Sequence, residues 1–198
     1  MEAVVFAEAR RLPLSRFTTI HWERARVINE VRATTAFLKS LGEQARRRGH
    51  PVAYLWTRED GPDKGGHLHL LWHGPADWPD LEPCLRRAMK AAGAMNRKGV
   101  RRTFSVGRSQ RAAVASRPEY LANLTVVLAY ILKGGSEDAL EALNLERGEP
   151  GGTVVGKRCG VSQNIGPEAR RRHFATGTLG RVTKGPRSSG VGFRHAED

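Results

Sequence analysis

The segment Gly65-Gly66-His67-Leu68-His69-Leu70-Leu71-Trp72-His73 concentrates the residues most able to do chemistry. In an extended strand, alternate residues share a face. Leu68, Leu70 and Trp72 then point to one side, as a core face would. His67, His69 and His73 point to the other, with Leu71 among them, on what reads as the wet face. Two imidazoles at i and i+2 can both direct a ring nitrogen at one divalent ion. A single histidine here would be an ordinary polar residue. Three on one face, opposite a clean apolar face, raise the metal reading to parity. An acid would complete such a site. Glu59 ends the preceding strand and Asp60 follows it, so either is a candidate third ligand, with Asp63 in the loop a weaker one. An oxygen ligand suits Mg²⁺ or Mn²⁺ acting on phosphate.

A second set of reactive residues lies further along. Leu121, Leu124, Leu128 and Ile131 form one stripe of a helix, and Tyr120 falls on it, which assigns Tyr120 to packing. Tyr130 lies roughly 120° from Leu124 around the helix, so it faces something other than the core. Lys133 is close enough along the helix to share an exposed site with it. A phenol, with a pKa near ~10, is a poor nucleophile at neutral pH. It becomes competent beside a phosphate whose developing charge is neutralised.

The elements that must position these groups follow from patterning. Arg16 to Trp22 reads as a strand and Val27 to Arg48 as a helix, closed by Gly49-His50-Pro51. Val52 to Glu59 and His67 to His73 read as a hairpin around Asp60-Gly61-Pro62-Asp63-Lys64-Gly65-Gly66. Pro79 to Ala92 reads as a second helix, Arg101 to Val106 as a fourth strand, and Pro118 to Gly134-Gly135 as a third helix. The order βαββαβα predicts an α+β fold: a ferredoxin-like antiparallel sheet with helices on one face. Ala139 to Leu145 reads as a short further helix. Residues 1–147 form the expected folded domain. Gly148 to Asp198, rich in Gly, Ser and Arg, reads as a basic, poorly structured tail, although Gly156-Lys157-Arg158-Cys159-Gly160 has the makings of a docked segment.

Composition restricts the partners. The 198-residue chain holds 33 Lys and Arg against 20 Asp and Glu, a formal net charge of +13. A chain this basic is expected to meet a polyanion, most often nucleic acid. No apolar run approaches the ~20 residues of a spanning helix, so no membrane partner is expected. Cys84 and Cys159 are far apart and fit neither a zinc pattern nor a disulfide framework. A cytoplasmic location is the expectation.

Three segments in order resemble the HUH endonuclease superfamily, in particular the single-tyrosine Rep proteins that initiate rolling-circle replication of plasmids, phages and small circular DNA viruses. Phe17-Thr18-Thr19-Ile20 is similar to the first motif, His67-Leu68-His69 to the histidine motif, and Tyr130-Ile131-Leu132-Lys133 to the Tyr-x-x-Lys motif. The resemblance covers roughly residues 14 to 135. It implies His67 and His69 as metal ligands with Glu59 as the third, Tyr130 as nucleophile and Lys133 as its helper. It further implies nicking and rejoining of single-stranded or hairpin DNA through a 5′-phosphotyrosine, with a host helicase and polymerase as partners. The rival readings are a single-tyrosine transposase or mobilisation nickase, a non-catalytic nucleic-acid-binding protein, and a zinc-binding structural protein.

Overall fold

The structure, a computed structural model of the chain, describes residues 1–61, 65–74, 78, 80–106, 116–135, 140–141 and 152–175. The elements are α1 (Glu2–Ala9), β1 (Arg16–His21), α2 (Glu30–Arg47), β2 (Tyr54–Gly61), β3 (Gly65–Trp72), α3 (Leu81–Ala91), β4 (Arg101–Ser105), α4 (Arg117–Leu132), β5 (Cys159–Val161), a 3₁₀ turn (Gln163–Ile165) and α5 (Pro167–Ala175). The expected order βαββαβα is present between β1 and α4. The helix expected at Ala139 to Leu145 falls mostly outside the described residues; Leu140 and Glu141 are helical.

The strands form one sheet in the order β4-β1-β3-β2-β5, with every neighbouring pair antiparallel. Because α2 returns the chain across the sheet, β1 and β2 run the same way with β3 between them. Similarly, α3 links β3 to β4 around β1. These interleaved βαβ units are the ferredoxin-like arrangement.

One face of the sheet is apolar and sealed. Ile20, Leu68, Leu70 and Trp72 pack against Phe37, Leu38 and Leu41 of α2 and Leu85, Ala88 and Met89 of α3. The start of α2 is set by Asn29, whose Oδ1 accepts from the Arg32 amide at 3.0 Å, so the helix begins three residues after the expected Val27. Within this core runs a polar thread. The fully buried Trp72 donates its indole N–H to Thr18 Oγ1 at 3.0 Å, and Thr18 in turn pairs with Thr103 Oγ1 of β4 at 2.9 Å.

The second face differs from the expectation of helices on one face only. Phe17, Leu55 and Leu71 lie on it and form an apolar patch that water would meet if nothing covered it. Val4, Phe6 and Ala7 of α1 and Leu124, Val127, Leu128 and Ile131 of α4 cover that patch. In α4 the buried stripe takes in Val127, and Leu121, assigned to the stripe by spacing, is 41% exposed. The face read as wet is therefore closed over much of its area, and His67 and His69 are buried.

The segment read as tail also needs correction over residues 152–175. Cys159–Val161 adds β5 to the edge of β2, pairing Leu55 with Val161, Trp56 with Gly160 and Thr57 with Cys159. Position 160 suits glycine because a Cβ there would meet the Trp56 indole nitrogen at 2.9 Å. Ile165 enters the second core, and Arg170 of α5 pairs with Glu2 of α1 at 3.0 Å. A three-residue strand has no periodicity to read, and its pairing partner is about a hundred residues away. The rest of the expected tail, 176–198, lies outside the described residues.

Replacing Thr18 with Val keeps the shape and removes the acceptor of a buried indole N–H. We expect a loss on the order of 1–3 kcal/mol in denaturant unfolding with an unchanged m-value. A loss below about 0.5 kcal/mol would show that the thread contributes nothing.

Candidate metal centre and its tyrosine

The β2–β3 register makes Glu59 the cross-strand partner of His67, and Thr57 that of His69. Cross-strand partners share a face, so the acid and both histidines project to the same side. Asp60 pairs with Gly66 and alternates to the opposite side, where it is exposed. Glu59 is thus the acid that joins the histidines, and the Asp60 alternative is excluded by register. Asp63 lies outside the described residues. His73 sits beyond the other end of β3 and donates from Nδ1 to the Pro13 carbonyl at 2.9 Å, away from the pair.

Each imidazole is oriented by a second contact. His67 donates from Nδ1 to the Gly65 carbonyl at 2.9 Å. His69 Nδ1 lies 3.0 Å from Thr19 Oγ1, its partner across β1. Both Nε2 atoms turn inward. They lie 3.2 Å (His67) and 3.7 Å (His69) from Glu59 Oε2. The three ligand atoms all fall within 4.8 Å of one another, the single such group of His, Cys, Asp and Glu among the described residues. His69 Nε2 and Glu59 Oε1 are buried without a hydrogen-bond partner. They are two of several such atoms among the described residues; at this site an ion or water would satisfy them. A buried Glu-His-His group whose ligand atoms lie this close together fits a divalent cation held by mixed oxygen and nitrogen ligands.

Titration follows the same geometry. Burial by itself would raise the Glu59 carboxyl. The facing His67 and His69 imidazoles and the charge of Lys133 outweigh it and hold the group below the usual carboxylate range. Burial keeps His69 below its ordinary value, the neutral state that a ligand needs. For His67, burial is outweighed by Glu59 and the Gly65 carbonyl, and the net shift is upward.

Helix α4 supplies the remaining groups. It starts in a capping box, with the Ser116 hydroxyl accepting from the Glu119 amide and Glu119 Oε2 accepting from the Ser116 amide at 2.8 Å. Tyr130 is 43% exposed, and its ring centroid stands 5.0 Å from that of His69, edge to face. Lys133 Nζ lies 4.3 Å from the centre of the Tyr130 ring and 3.2 Å from Glu59 Oε2. The lysine therefore bridges the phenol ring and the carboxylate. Glu59, His67, His69, Tyr130 and Lys133, the five residues singled out in the sequence, come together in one place. Tyr120 is half-buried against the second core, as its position on the stripe implies, and donates its hydroxyl to Glu8 Oε1 at 2.7 Å.

The structure adds residues that spacing does not reveal. Thr19 orients His69. The His21 ring lies 5.6 Å from that of His67. Beside Tyr130, a groove of about 550 Å³ runs over β1 to the edge strand β4, past Arg24, Arg102, Phe104 and Val126. Phe104 is 42% exposed and Val126 69%. The β1–β4 register, Phe17 to Phe104 and Thr19 to Arg102, creates this groove. The one available signal was the alternation of Arg102 and Phe104 along a short strand.

Two outcomes are expected. Thr19→Val should weaken Mn²⁺ binding by about 10–100-fold, since it frees the ring that Thr19 orients. Calorimetric titration reads this directly, and unchanged affinity would remove Thr19 from the site. Tyr120→Phe should lose on the order of 1 kcal/mol of stability with its hydrogen bond to Glu8. Tyr130→Phe should lose almost none, because its hydroxyl end is exposed. Equal losses in denaturant melts would reverse this division of labour.

No helix among the described residues is long and apolar enough to cross a membrane. No protein-family model matches the chain, and no curated protein and no solved structure matches it significantly.

Proposed function

We propose that this chain is a metal-dependent endonuclease and strand transferase of the HUH, Rep-like type, which nicks single-stranded or hairpin DNA through a 5′-phosphotyrosine on Tyr130. The observation that carries this reading is the juxtaposition of a half-exposed tyrosine and a lysine, one turn apart on α4, with a buried Glu-His-His group. A structural histidine cluster gives no reason for a reactive-type side chain at its rim. A purely nucleic-acid-binding surface gives none for three metal-ligating side chains gathered beneath it.

In the proposed reaction Tyr130 Oη bonds to the scissile phosphorus and the O3′–P bond breaks. The phenolic proton is lost to solvent, and the departing O3′ takes up a proton to become a 3′-hydroxyl. Rejoining reverses the exchange: a 3′-hydroxyl attacks phosphorus and the phenol is released. Bound Mg²⁺ or Mn²⁺, held by Glu59, His67 and His69, would supply polarisation of the phosphate. Lys133 adds a positive charge beside the phenol and holds Glu59 on the side facing α4. The groove past Arg24, Arg102 and Phe104 suits a single strand: its cations meet phosphates, and its exposed ring offers a base a stacking surface. The net charge of +13 supports a polyanionic substrate. Initiation of rolling-circle replication is the biological role proposed for this chemistry.

The test is incubation of the full chain with a pool of single-stranded, origin-like DNAs and Mn²⁺, followed by denaturing electrophoresis and mass spectrometry of the nucleotide-bearing peptide. The adduct should sit on Tyr130. Tyr130→Phe should bind Mn²⁺ and DNA yet form none, and Lys133→Ala should be slower by on the order of tenfold or more. A nucleotide on Tyr120, Tyr54 or a serine would overturn the assignment. No adduct with any metal or strand would leave a DNA-binding protein without this chemistry. Phe104→Ala should weaken single-strand affinity by about 1–3 kcal/mol while adduct formation at saturating DNA persists. Unchanged affinity would place the strand elsewhere.

A further inference from the structure

Helix α4 must be held at a fixed height over the sheet for Tyr130 to meet the Glu-His-His group. The Lys133–Glu59 pair contributes, but it uses the very carboxylate that a cation would take up. A second tie exists that leaves Glu59 free. Arg158 donates from Nη1 to the carbonyl of Gly134 at 3.3 Å, directly after Lys133 at the end of α4. Gly134 is the residue after the C-cap Lys133, so the contact ties down the chain where it leaves α4. The main chain of Arg158 is anchored in turn, its carbonyl accepting from the Arg58 amide at 2.7 Å, directly before Glu59. Its Nη2 also donates to the Gly152 carbonyl. The strap of residues 152–158 is locked to β2 at several points. The buried Arg58 donates to the Val155 carbonyl at 2.9 Å. Gly152, at φ +67°, lies so close to the Asp60 carbonyl that an added Cβ would collide with its oxygen.

One arginine thus joins the chain neighbour of Glu59 to the chain neighbour of Lys133. We propose that Arg158 is a positioning residue, which sets the distance between Tyr130 and the metal ligands while contacting neither substrate nor cation. Its effect on reaction rate rests on the nicking reading above; its effect on placement does not. This assigns Arg158 a role inside the fold in place of the phosphate contact expected of a basic tail.

The experiment uses the full chain with 3-fluorotyrosine at its three tyrosines, assigned by the Tyr54→Phe, Tyr120→Phe and Tyr130→Phe variants. Mn²⁺ is the probe, because it broadens a fluorine resonance steeply with proximity whether or not the protein turns over. Arg158→Met and Arg158→Lys are compared with the parent. Arg158→Met should bind Mn²⁺ within about twofold of the parent, because the ligands and their orienting partners are untouched. Broadening of Tyr130 should nevertheless fall severalfold, and amides of residues 130–134 should exchange faster with deuterium. Adduct formation at saturating DNA should slow by about 10–100-fold with little change in KM, the signature of misplaced reacting groups. Arg158→Lys, which keeps a donor and the fold even if Arg158→Met unfolds, should recover part of each. A parent that forms no adduct, but whose Tyr130 broadening drops on substitution, would remove the nicking reading and leave the positioning role standing. Unchanged broadening and exchange in both variants would overturn the proposal. So would a loss confined to DNA affinity and its salt dependence, which would make Arg158 a phosphate contact. Failure of the parent to bind Mn²⁺ would overturn both readings.

Discussion

A carboxylate that is only 5% exposed, as Glu59 is, must be compensated from several directions or give up its charge. Two parts of the chain provide that compensation, and a third holds the backbone that carries it. Across the hairpin, His67 and His69 turn their Nε2 atoms toward it. From α4, Lys133 reaches it at 3.2 Å. From behind, the β2 backbone is fixed by the strap of residues 152–158. A slip of one residue between β2 and β3 would turn Glu59 into the apolar core and bring Arg58 to the histidines. The hairpin register, the docking of α4 and the addition of β5 are therefore coupled through one acidic side chain.

The sheet divides the molecule into two environments with different rules. The α2–α3 side is sealed, and its buried Thr18–Thr103–Trp72 thread is satisfied internally. The other side changes character along β3. Leu71 is packed under α1 and α4, His69 is buried but unsatisfied at Nε2, and His67 meets Glu59 near the open groove. Helix α4 lies across this transition. Its Leu124–Ile131 stripe is core, whereas Tyr130 sits at the rim. Apolar packing on one flank fixes the helix, and partial exposure on the other leaves the phenol accessible. The same helix is thus packed on one flank and open on the other.

Among the described residues of the C-terminal region, the arginines are engaged in two ways. Arg158 and Arg170 make contacts within the fold, and Arg171 and Arg172 pair with Glu168 on their own helix. Arg24 and Arg102, both exposed, line the groove beside the candidate site.

Much of this was legible in the residues themselves. Alternation in Gly65–Trp72 assigned the core and histidine faces, because a strand repeats every two residues. Helical spacing separated Tyr120 from Tyr130 because a helix advances about 100° per residue. Both are local properties, and local periodicity survives in a sequence. The element order from β1 to α4 likewise followed from local signals, and it left few sheet topologies open. What required tertiary structure was everything set by pairing between distant segments. The choice of Glu59 over Asp60 came from the β2–β3 register. Thr19 beside His69, and Phe104 and Arg102 at the groove, came from β1 lying between β3 and β4. The covering of the histidine face came from α1 and α4 packing on Phe17, Leu55 and Leu71. The addition of residues 159–161 to β2 came from an edge whose unpaired backbone groups needed a partner. None of these contacts leaves a periodic trace, because each depends on where two segments meet and not on how either one repeats.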